Sequence, residues 1–410
     1  MADTVNDKRD SSRIWNSSFI KIFIVNFAMS SGQFMMNTLI PKYAYQLGGA
    51  ASVAGLVSGI FAVTALGIRP VAGPAMDHFR KNKLLPIAIG IITAAYIVYG
   101  FADSIGLLIA ARLIHGIGVG CASPLCLAMA SNALPAEKMA SGLGIFSLAS
   151  AVATAAGPTI GLSLSAAIGY NLTFFICAAL MFISFLLSLM LRSDSPAAEG
   201  RFRISLNQIV APEVLLSTLV LFFLVVAYSG INSFLAIYGG ICGVKDIGLF
   251  FTTNAVTLIF IRPLSGRIAD KYGIDKTVLP GMLIFMIALV FISFSRTLPM
   301  FLAAGVITAF GFGISQPMIQ TMNMQLVPKE RRGAAGNTNF LGIDCGFLVG
   351  PPLAGAIISS VQGSTGNEIT GFAAMYRLMI IPAVIALVIF ALTRKKLLAR
   401  IRMLIYREEQ

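Results

Sequence analysis

Long apolar stretches alternate along this chain with short polar breaks. A helix that crosses a bilayer needs roughly 20 consecutive, mostly apolar residues. Stretches of this kind are found at 19–40, 50–72, 84–103, 105–131, 138–167, 170–192, 212–239, 246–266, 278–296, 298–326, 333–360 and 370–393. The pattern predicts an all-α integral membrane protein with twelve transmembrane helices, which we number 1 to 12 in chain order.

One longer polar segment interrupts the pattern near the middle of the chain. It divides residues 1–192, which hold the first six predicted helices, from residues 212–393, which hold the second six. We predict that 193–211 is a cytoplasmic linker, with a short interfacial helix near 201–210. Residues 394–410 are predicted to be a basic cytoplasmic tail.

The two halves of the sequence repeat one another. The pattern Arg-Pro-x-x-Gly-x-x-x-Asp runs from Arg69 to Asp77 and again, 193 residues later, from Arg262 to Asp270. The same spacing relates Pro124 to Pro317, Pro135 to Pro328, Glu137 to Glu330, and Gly157 to Gly350. Because six predicted spans separate the copies, both begin on the same side of the membrane. The sequence thus predicts two parallel six-helix repeats.

Composition agrees with lipid as the solvent. The chain is 57% hydrophobic and 11% charged, whereas a soluble domain carries about 25% charged residues. The five cysteines form no CxxC pair and only two histidines accompany them, so neither a disulfide framework nor a metal site is expected. We find no nucleotide loop or nucleophile motif, and therefore expect neither a cofactor nor an enzyme.

The basic residues fall mainly in alternate loops. One side of the predicted topology receives almost all of them, and the other little more than Lys42, Lys245 and Arg296. This asymmetry is the positive-inside signature. It accounts for the net charge of +13 without a nucleic-acid partner, and it predicts a multi-pass protein of the cell (inner) membrane with both termini cytoplasmic.

The loop after helix 2 and the loop after helix 8 share a glycine, three residues, an aspartate and a basic cluster. Both resemble the loop motif of the major facilitator superfamily, although His78 and Arg80 depart from it in the first copy. The resemblance implies a latch, in which each aspartate faces the positive N-terminal end of a helix from the other half. Its candidate residues are Gly73, Asp77, Arg80, Gly266, Asp270 and Lys271.

Predicted helix 4 carries Arg112 well inside its apolar stretch, followed by His115-Gly116-x-Gly118. This segment resembles the second motif of the superfamily's exporters, with His115 in place of glutamine. An ionisable residue inside a span is a functional hypothesis by default, and arginine stays charged at any working pH. Arg112 and His115 are therefore candidates for proton coupling. Alternatively, Arg112 binds backbone carbonyls and fixes helix packing.

Predicted helix 5 contains Gly157-Pro158-x-x-Gly161. It resembles the antiporter motif of the proton-coupled drug and metabolite exporters, although Leu162 replaces a second closing glycine. Proline kinks a helix and small residues allow close helix contact. We expect helix 5 to hinge or slide against helix 8.

The resemblance also implies that helices 1, 4, 7 and 10 line a central cavity. Uncharged polar residues on three of these helices are candidate substrate contacts: Asn26, Gln33, Asn37, Tyr228, Asn232, Tyr238, Gln316, Gln320 and Asn323. Asp344 in predicted helix 11 is the one carboxylate near the middle of a span. Burial favours the protonated form of such a group and exposure or a nearby cation favours its release, so Asp344 is the main proton-coupling candidate.

These observations predict a secondary active transporter that exports a drug or metabolite in exchange for protons by alternating access. A uniporter or importer of a sugar or small metabolite is the alternative within transport, and a membrane-embedded sensor or enzyme is the alternative outside it. The expected partners are a small-molecule substrate, protons and the lipid bilayer, and the chain is expected to act as a monomer. An anionic or zwitterionic substrate facing Arg112 and a neutral lipophile are both compatible with the sequence.

Overall fold

Helices make up nearly all of the computed structural model, which describes residues 14–48, 51–191 and 210–409. We number the helices α1 to α13. They are α1 Ser17–Gln46, α2 Ala51–His78, α3 Lys81–Gly100, α4 Ile105–Asn132, α5 Met139–Ile168, α6 Tyr170–Leu189, α7 Leu215–Ile241, α8 Leu249–Tyr272, α9 Asp275–Phe294, α10 Leu298–Gln325, α11 Arg332–Thr365, α12 Glu368–Leu378 and α13 Ile380–Glu409. Predicted helices 1 to 11 correspond to α1 to α11.

The twelfth predicted helix is two helices in the structure, because the chain breaks at Met379 between α12 and α13. Pro382 supplies a reason: it has no backbone N–H for the carbonyl of Leu378, where α12 ends.

The predicted basic tail, 394–410, continues α13 as helix up to Glu409. Two arginines of this segment form ion pairs: Arg394 Nη1 lies 3.6 Å from Asp275 Oδ2, and Arg400 Nη2 lies 3.5 Å from Glu213 Oε1. The predicted interfacial helix falls almost wholly outside the described residues.

Ten helices in the described part of the chain are long and apolar enough to cross a membrane. The helices α2 and α5, at 28 and 30 residues, exceed the length of roughly 20 residues that a span needs. The architecture is therefore that of a twelve-span membrane protein.

The chain forms two compact units, and each follows the same packing scheme. In the first unit α2 and α3 pack on α4, and α6 packs on α1 and α3. In the second unit α8 and α9 pack on α10, while α13 packs on α7 and α9. These pairs correspond under the 193-residue spacing, so the sequence repeat is also a structural repeat.

The units do not follow the two halves of the sequence at two places. The first unit comprises Met1–Pro135, Leu148–Ala211 and Pro328–Asn337. The second comprises Ala136–Ser147, Pro212–Val327 and Thr338–Gln410. The start of α11 therefore belongs to the first unit, and the start of α5 belongs to the second.

A stripe of small residues explains how α5 and α11 pack within their units. A Cβ built on Gly157 would lie 3.1 Å from Phe34 and one on Gly161 3.3 Å from Leu39, both on α1. On α11, the nearest atoms to Gly346 and Gly350 are those of α7. Residues four apart share one helix face, so each stripe allows close approach of two helices.

Candidate functional site

The carboxylate of Asp270, near the end of α8, lies against the first turn of α5. Its Oδ1 accepts from the backbone N–H of Ala140 and its Oδ2 from that of Ser141, both at 3.0 Å. The first four N–H groups of a helix have no partner within the helix. Asp270 therefore acts as an N-terminal cap supplied by another helix, and its charge faces the positive end of the helix dipole.

Asp77, its counterpart near the end of α2, lies in the same way against the start of α11. Its Oδ1 accepts from the backbone N–H of Ala334 at 3.1 Å. Each contact lies inside one unit, because the helix start in question belongs to the unit of the aspartate. The structure thus brings both predicted acids to helix N-termini.

Glycines make these approaches possible. A Cβ on Gly266 would lie 2.6 Å from Ser141 Cα, and a Cβ on Gly333 would lie 2.6 Å from Asp77 Oδ1 and from Met76 Cβ. In the second motif copy, Gly273 has φ +99°, which favours glycine. Arg80 takes its place in the first copy because the backbone there is extended, with φ −64° and ψ 120°.

Two further residues at this end of the first unit were not selected from the sequence. The guanidinium of Arg332 is buried and donates to the carbonyl of Ser131, at the end of α4, at 2.8 Å. Lys81, at the start of α3, is also buried. In the sequence pattern, both belong only to the basic loop residues that indicate orientation. By contrast, the side chains of Arg80 and Lys271 are exposed.

Arg112 lies deep in the first unit, about 10 Å along α4 from its start at Ile105. It is 1% exposed. Its Nε donates to the carbonyl of Val57 and its Nη2 to Oδ1 of Asn37, both at 3.3 Å, and its Cζ lies 5.4 Å from the centre of the Phe61 ring. The remaining terminal nitrogen, Nη1, is buried and has no acceptor in the described structure.

His115 completes a buried polar cluster around Arg112. Its Nδ1 lies 3.3 Å from the hydroxyl of Tyr99, and its ring centre lies 5.0 Å from that of Tyr96. Among the described atoms, His115 Nε2 and the Tyr96 hydroxyl have no hydrogen-bond partner. The two tyrosines, three residues apart on α3, were not selected from the sequence because they do not lie on a predicted cavity helix.

The other polar candidates of the first unit lie on α1. Asn26 is buried, and its Nδ2 has no acceptor in the described part of the chain. Gln33 is half-buried, whereas Asn37 is exposed apart from its bond to Arg112. Of the predicted residues, the structure therefore brings Asn37, Arg112 and His115 together.

The candidates of the second unit fall into two groups. Asn323 and Tyr238 are fully buried and bind other helices: Asn323 donates to Asn339 at 2.9 Å, and Tyr238 donates to the carbonyl of Ser293 at 2.9 Å. The less buried candidates are Tyr228, Asn232, Gln316 and Gln320. Tyr228 stacks on Phe312, with ring centres 3.9 Å apart.

The structure places the glycine motif of α5 against α1, and it places Asp344 on a face of α11 that differs from the face against α7. For both Gly157 and Gly161, the three nearest atoms belong to α1 rather than α8; it is Gly144, earlier in α5, that approaches the backbone of α8. The side chain of Pro158 lies outside the described part. Asp344 is half-buried and lies two residues from both Gly342 and Gly346, which contact α7, so it projects from another face of α11.

Comparison with known proteins defines the family of this chain. A model of the Major Facilitator Superfamily matches residues 22–245 and 242–401. Because the match covers most of the chain in two copies, this protein belongs to the Major Facilitator Superfamily and is a multi-span membrane transporter of small molecules.

Similar proteins include named exporters. The chain is 23% identical over 380 residues to the staphylopine export protein of Staphylococcus aureus (strain Mu50 / ATCC 700699), covering 87% of this chain and 91% of that protein. It is 25% identical over 374 residues to the multi-drug resistance efflux pump PmrA homolog of Lactococcus lactis subsp. lactis (strain IL1403), covering 86% and 90%. The crystal structure of the human organic anion transporter MFSD10 (TETRAN) matches with a TM-score of 0.76 at 16% identity, covering 91% of this chain and 98% of that one.

Proposed function

We propose that this transporter exports a small organic molecule across the cell membrane in exchange for protons. The observation that carries the proposal is the similarity to two proteins named for export, each of which aligns over more than four-fifths of this chain. The antiporter-type sequence at Gly157 and Gly161 supports the same direction of transport. A uniporter or importer is not favoured by these relatives.

Asp344 is the proposed proton carrier. It is the thirteenth residue of the 34-residue helix α11, whereas the other acids in the described helices lie within three residues of a helix end. A half-buried carboxyl group can change its proton affinity when its exposure or its neighbours change. Arg112 and His115 are the accompanying candidates, because Arg112 is a permanent cation and His115 can take up a proton.

The proposed cycle assigns the latch to Asp77 and Asp270. When these acids hold the starts of α11 and α5, the end of the transporter that we propose to be cytoplasmic is held closed; release of the contacts opens it. A single chain with both termini in the cytoplasm suffices for this cycle.

Proteoliposomes that contain a pH-sensitive dye test the proposal. We expect a transported probe, ethidium or 2-naphthoate, to move protons in the opposite direction and to accumulate against its gradient when a pH difference is imposed. Exchange of a probe without any proton movement would contradict proton coupling. Asp344→Asn should abolish uphill export and preserve exchange, because an amide cannot release a proton; wild-type uphill export by this variant would exclude Asp344 as the carrier.

A further inference from the structure

Arg112 is a buried permanent cation with no ion-pair partner in the described part of the first unit. Within the described part of the chain, no carboxylate lies within salt-bridge distance of its guanidinium. Between residues 17 and 191 the sequence has three acids, Asp77, Asp103 and Glu137, and all lie at or beyond helix ends. Buried charges in proteins are normally paired, so the missing negative charge calls for an explanation.

Unused hydrogen-bonding atoms surround the same cation. Among the described residues, Arg112 Nη1, the Tyr96 hydroxyl and His115 Nε2 are buried and have no partner. The aromatic contacts hold these groups in one cluster, because the His115 ring lies 5.0 Å from Tyr96 and 5.1 Å from Phe61. A guanidinium and a phenol both donate hydrogen bonds, and a carboxylate offers two acceptor oxygens. A buried water could bind these atoms, but it would leave the charge uncompensated.

The cluster is close to accessible surface on the side of α1. Asn37, which accepts from Arg112, is exposed, so a single side chain separates the guanidinium from that surface. Five residues earlier on α1, Gly32 leaves room for Tyr96: a Cβ there would lie 2.9 Å from the tyrosine hydroxyl. A small conformational change at α1 would therefore admit a ligand group.

We propose that Arg112, Tyr96 and His115 bind the carboxylate of the transported molecule. The substrate is then an organic anion or a zwitterion, and Phe61 and the tyrosine rings contact its apolar part. This inference rests on the proposed function, since it names the chemical class that the exporter carries. It also explains why a cation persists in an apolar span where the described residues offer it no ion-pair partner.

Matched pairs of probes test the charge requirement. We would measure binding of benzoate, 2-naphthoate and N-acetylphenylalanine, and of the carboxamide of each, to purified full-length protein by thermal shift, since a ligand of the folded state stabilises it. The carboxylate should bind about 10- to 100-fold more tightly than its carboxamide, the range expected for hydrogen bonds to a charged group. Arg112→Gln should remove the preference and Arg112→Lys should retain part of it. Arg377→Gln, which changes an exposed arginine of the second unit, should preserve it.

Asn37→Asp provides a second test, and its first readout, the stability of the ligand-free protein, needs no probe. It replaces the amide of Asn37 by a carboxylate, on the side chain that already accepts a hydrogen bond from Arg112. A built-in anion should raise the melting temperature of the ligand-free protein and abolish the preference for carboxylate probes. Unchanged stability together with an unchanged preference would overturn the proposal.

The outcomes separate this inference from the proposed export. Binding is measured in detergent without a proton gradient, so a failure of proton coupling leaves the expected carboxylate preference intact. Conversely, a proton-coupled exporter that binds all three carboxamides as tightly as the carboxylates would retain the proposed function and overturn the anion site.

Discussion

Replacement of Asp270 by asparagine isolates the charge and one hydrogen bond at the start of α5. The wild-type carboxylate accepts from two backbone N–H groups at 3.0 Å, whereas an amide offers a single acceptor oxygen and no charge. A hydrogen bond to a charged group contributes about 1.5–3 kcal/mol, and a lone buried donor costs about 1–3 kcal/mol. Because Asp270 is half-buried, water can replace part of this interaction, and we expect a loss of about 1–2 kcal/mol.

The assay is thermal unfolding of the purified protein in detergent, followed by its tryptophan fluorescence or by aggregation. For a unit of roughly 200 residues, a loss of this size lowers the melting temperature by about 3–6 °C. Asp275→Asn is the matched control, because it removes an acid five residues further along whose partly exposed pair with Arg394 spans 3.6 Å; such pairs contribute about 0–1 kcal/mol. If Asp270→Asn and Asp275→Asn lower the melting temperature equally, the two bonds from Asp270 to α5 do not stabilise the protein as expected.

Three further predictions follow from the packing and the topology. Gly266→Ala should lower stability by about 1–3 kcal/mol, because its Cβ would lie 2.6 Å from Ser141 Cα. Gly240→Ala should have little effect, because a Cβ there meets nothing within 4 Å. Equal losses of the two variants in thermal unfolding would contradict the close approach at Gly266. Asn323→Leu should cost about 1–3 kcal/mol, because it leaves the buried Oδ1 of Asn339 without its donor, although Ser217 keeps its bond to the carbonyl of Val214. Asn232→Leu at an exposed position should be nearly neutral in the same assay. Accessibility tags at both termini and in 193–211 should be cytoplasmic and a tag between 42 and 49 external; an external terminus would exclude the proposed orientation.

The number and order of the membrane spans were predictable, because apolar length is a direct consequence of bilayer thickness. Their ends were less so: α2 was predicted to end at residue 72, yet it continues to His78. A hydrophobicity pattern detects the part of a helix that lies in lipid, and the polar turns beyond it remain helical without leaving an apolar signal. The break at Met379 had a signal in Pro382 that the continuous apolar run concealed.

The surroundings of the polar residues were harder to predict. Asn37 and Asn323 are the same residue type on helices of similar composition, but one binds Arg112 near accessible surface and the other is fully enclosed by α7 and α11. The difference depends on helix rotation and on neighbours distant in sequence. For the same reason, Tyr96 and Tyr99 gave no sign in the sequence that they surround His115.

The contact of Asp77 with Ala334 has a consequence for biosynthesis. The two residues are 257 positions apart, and ribosomes add about 5–20 residues per second. Asp77 therefore waits roughly 13–50 s after its own synthesis before its partner exists. During that interval the nascent first unit lacks Pro328–Asn337, so the carboxylate must remain hydrated at the membrane surface or be shielded by an insertion factor. A ribosome stalled before residue 328 should accordingly expose Asp77 to solvent, and its release should bury it.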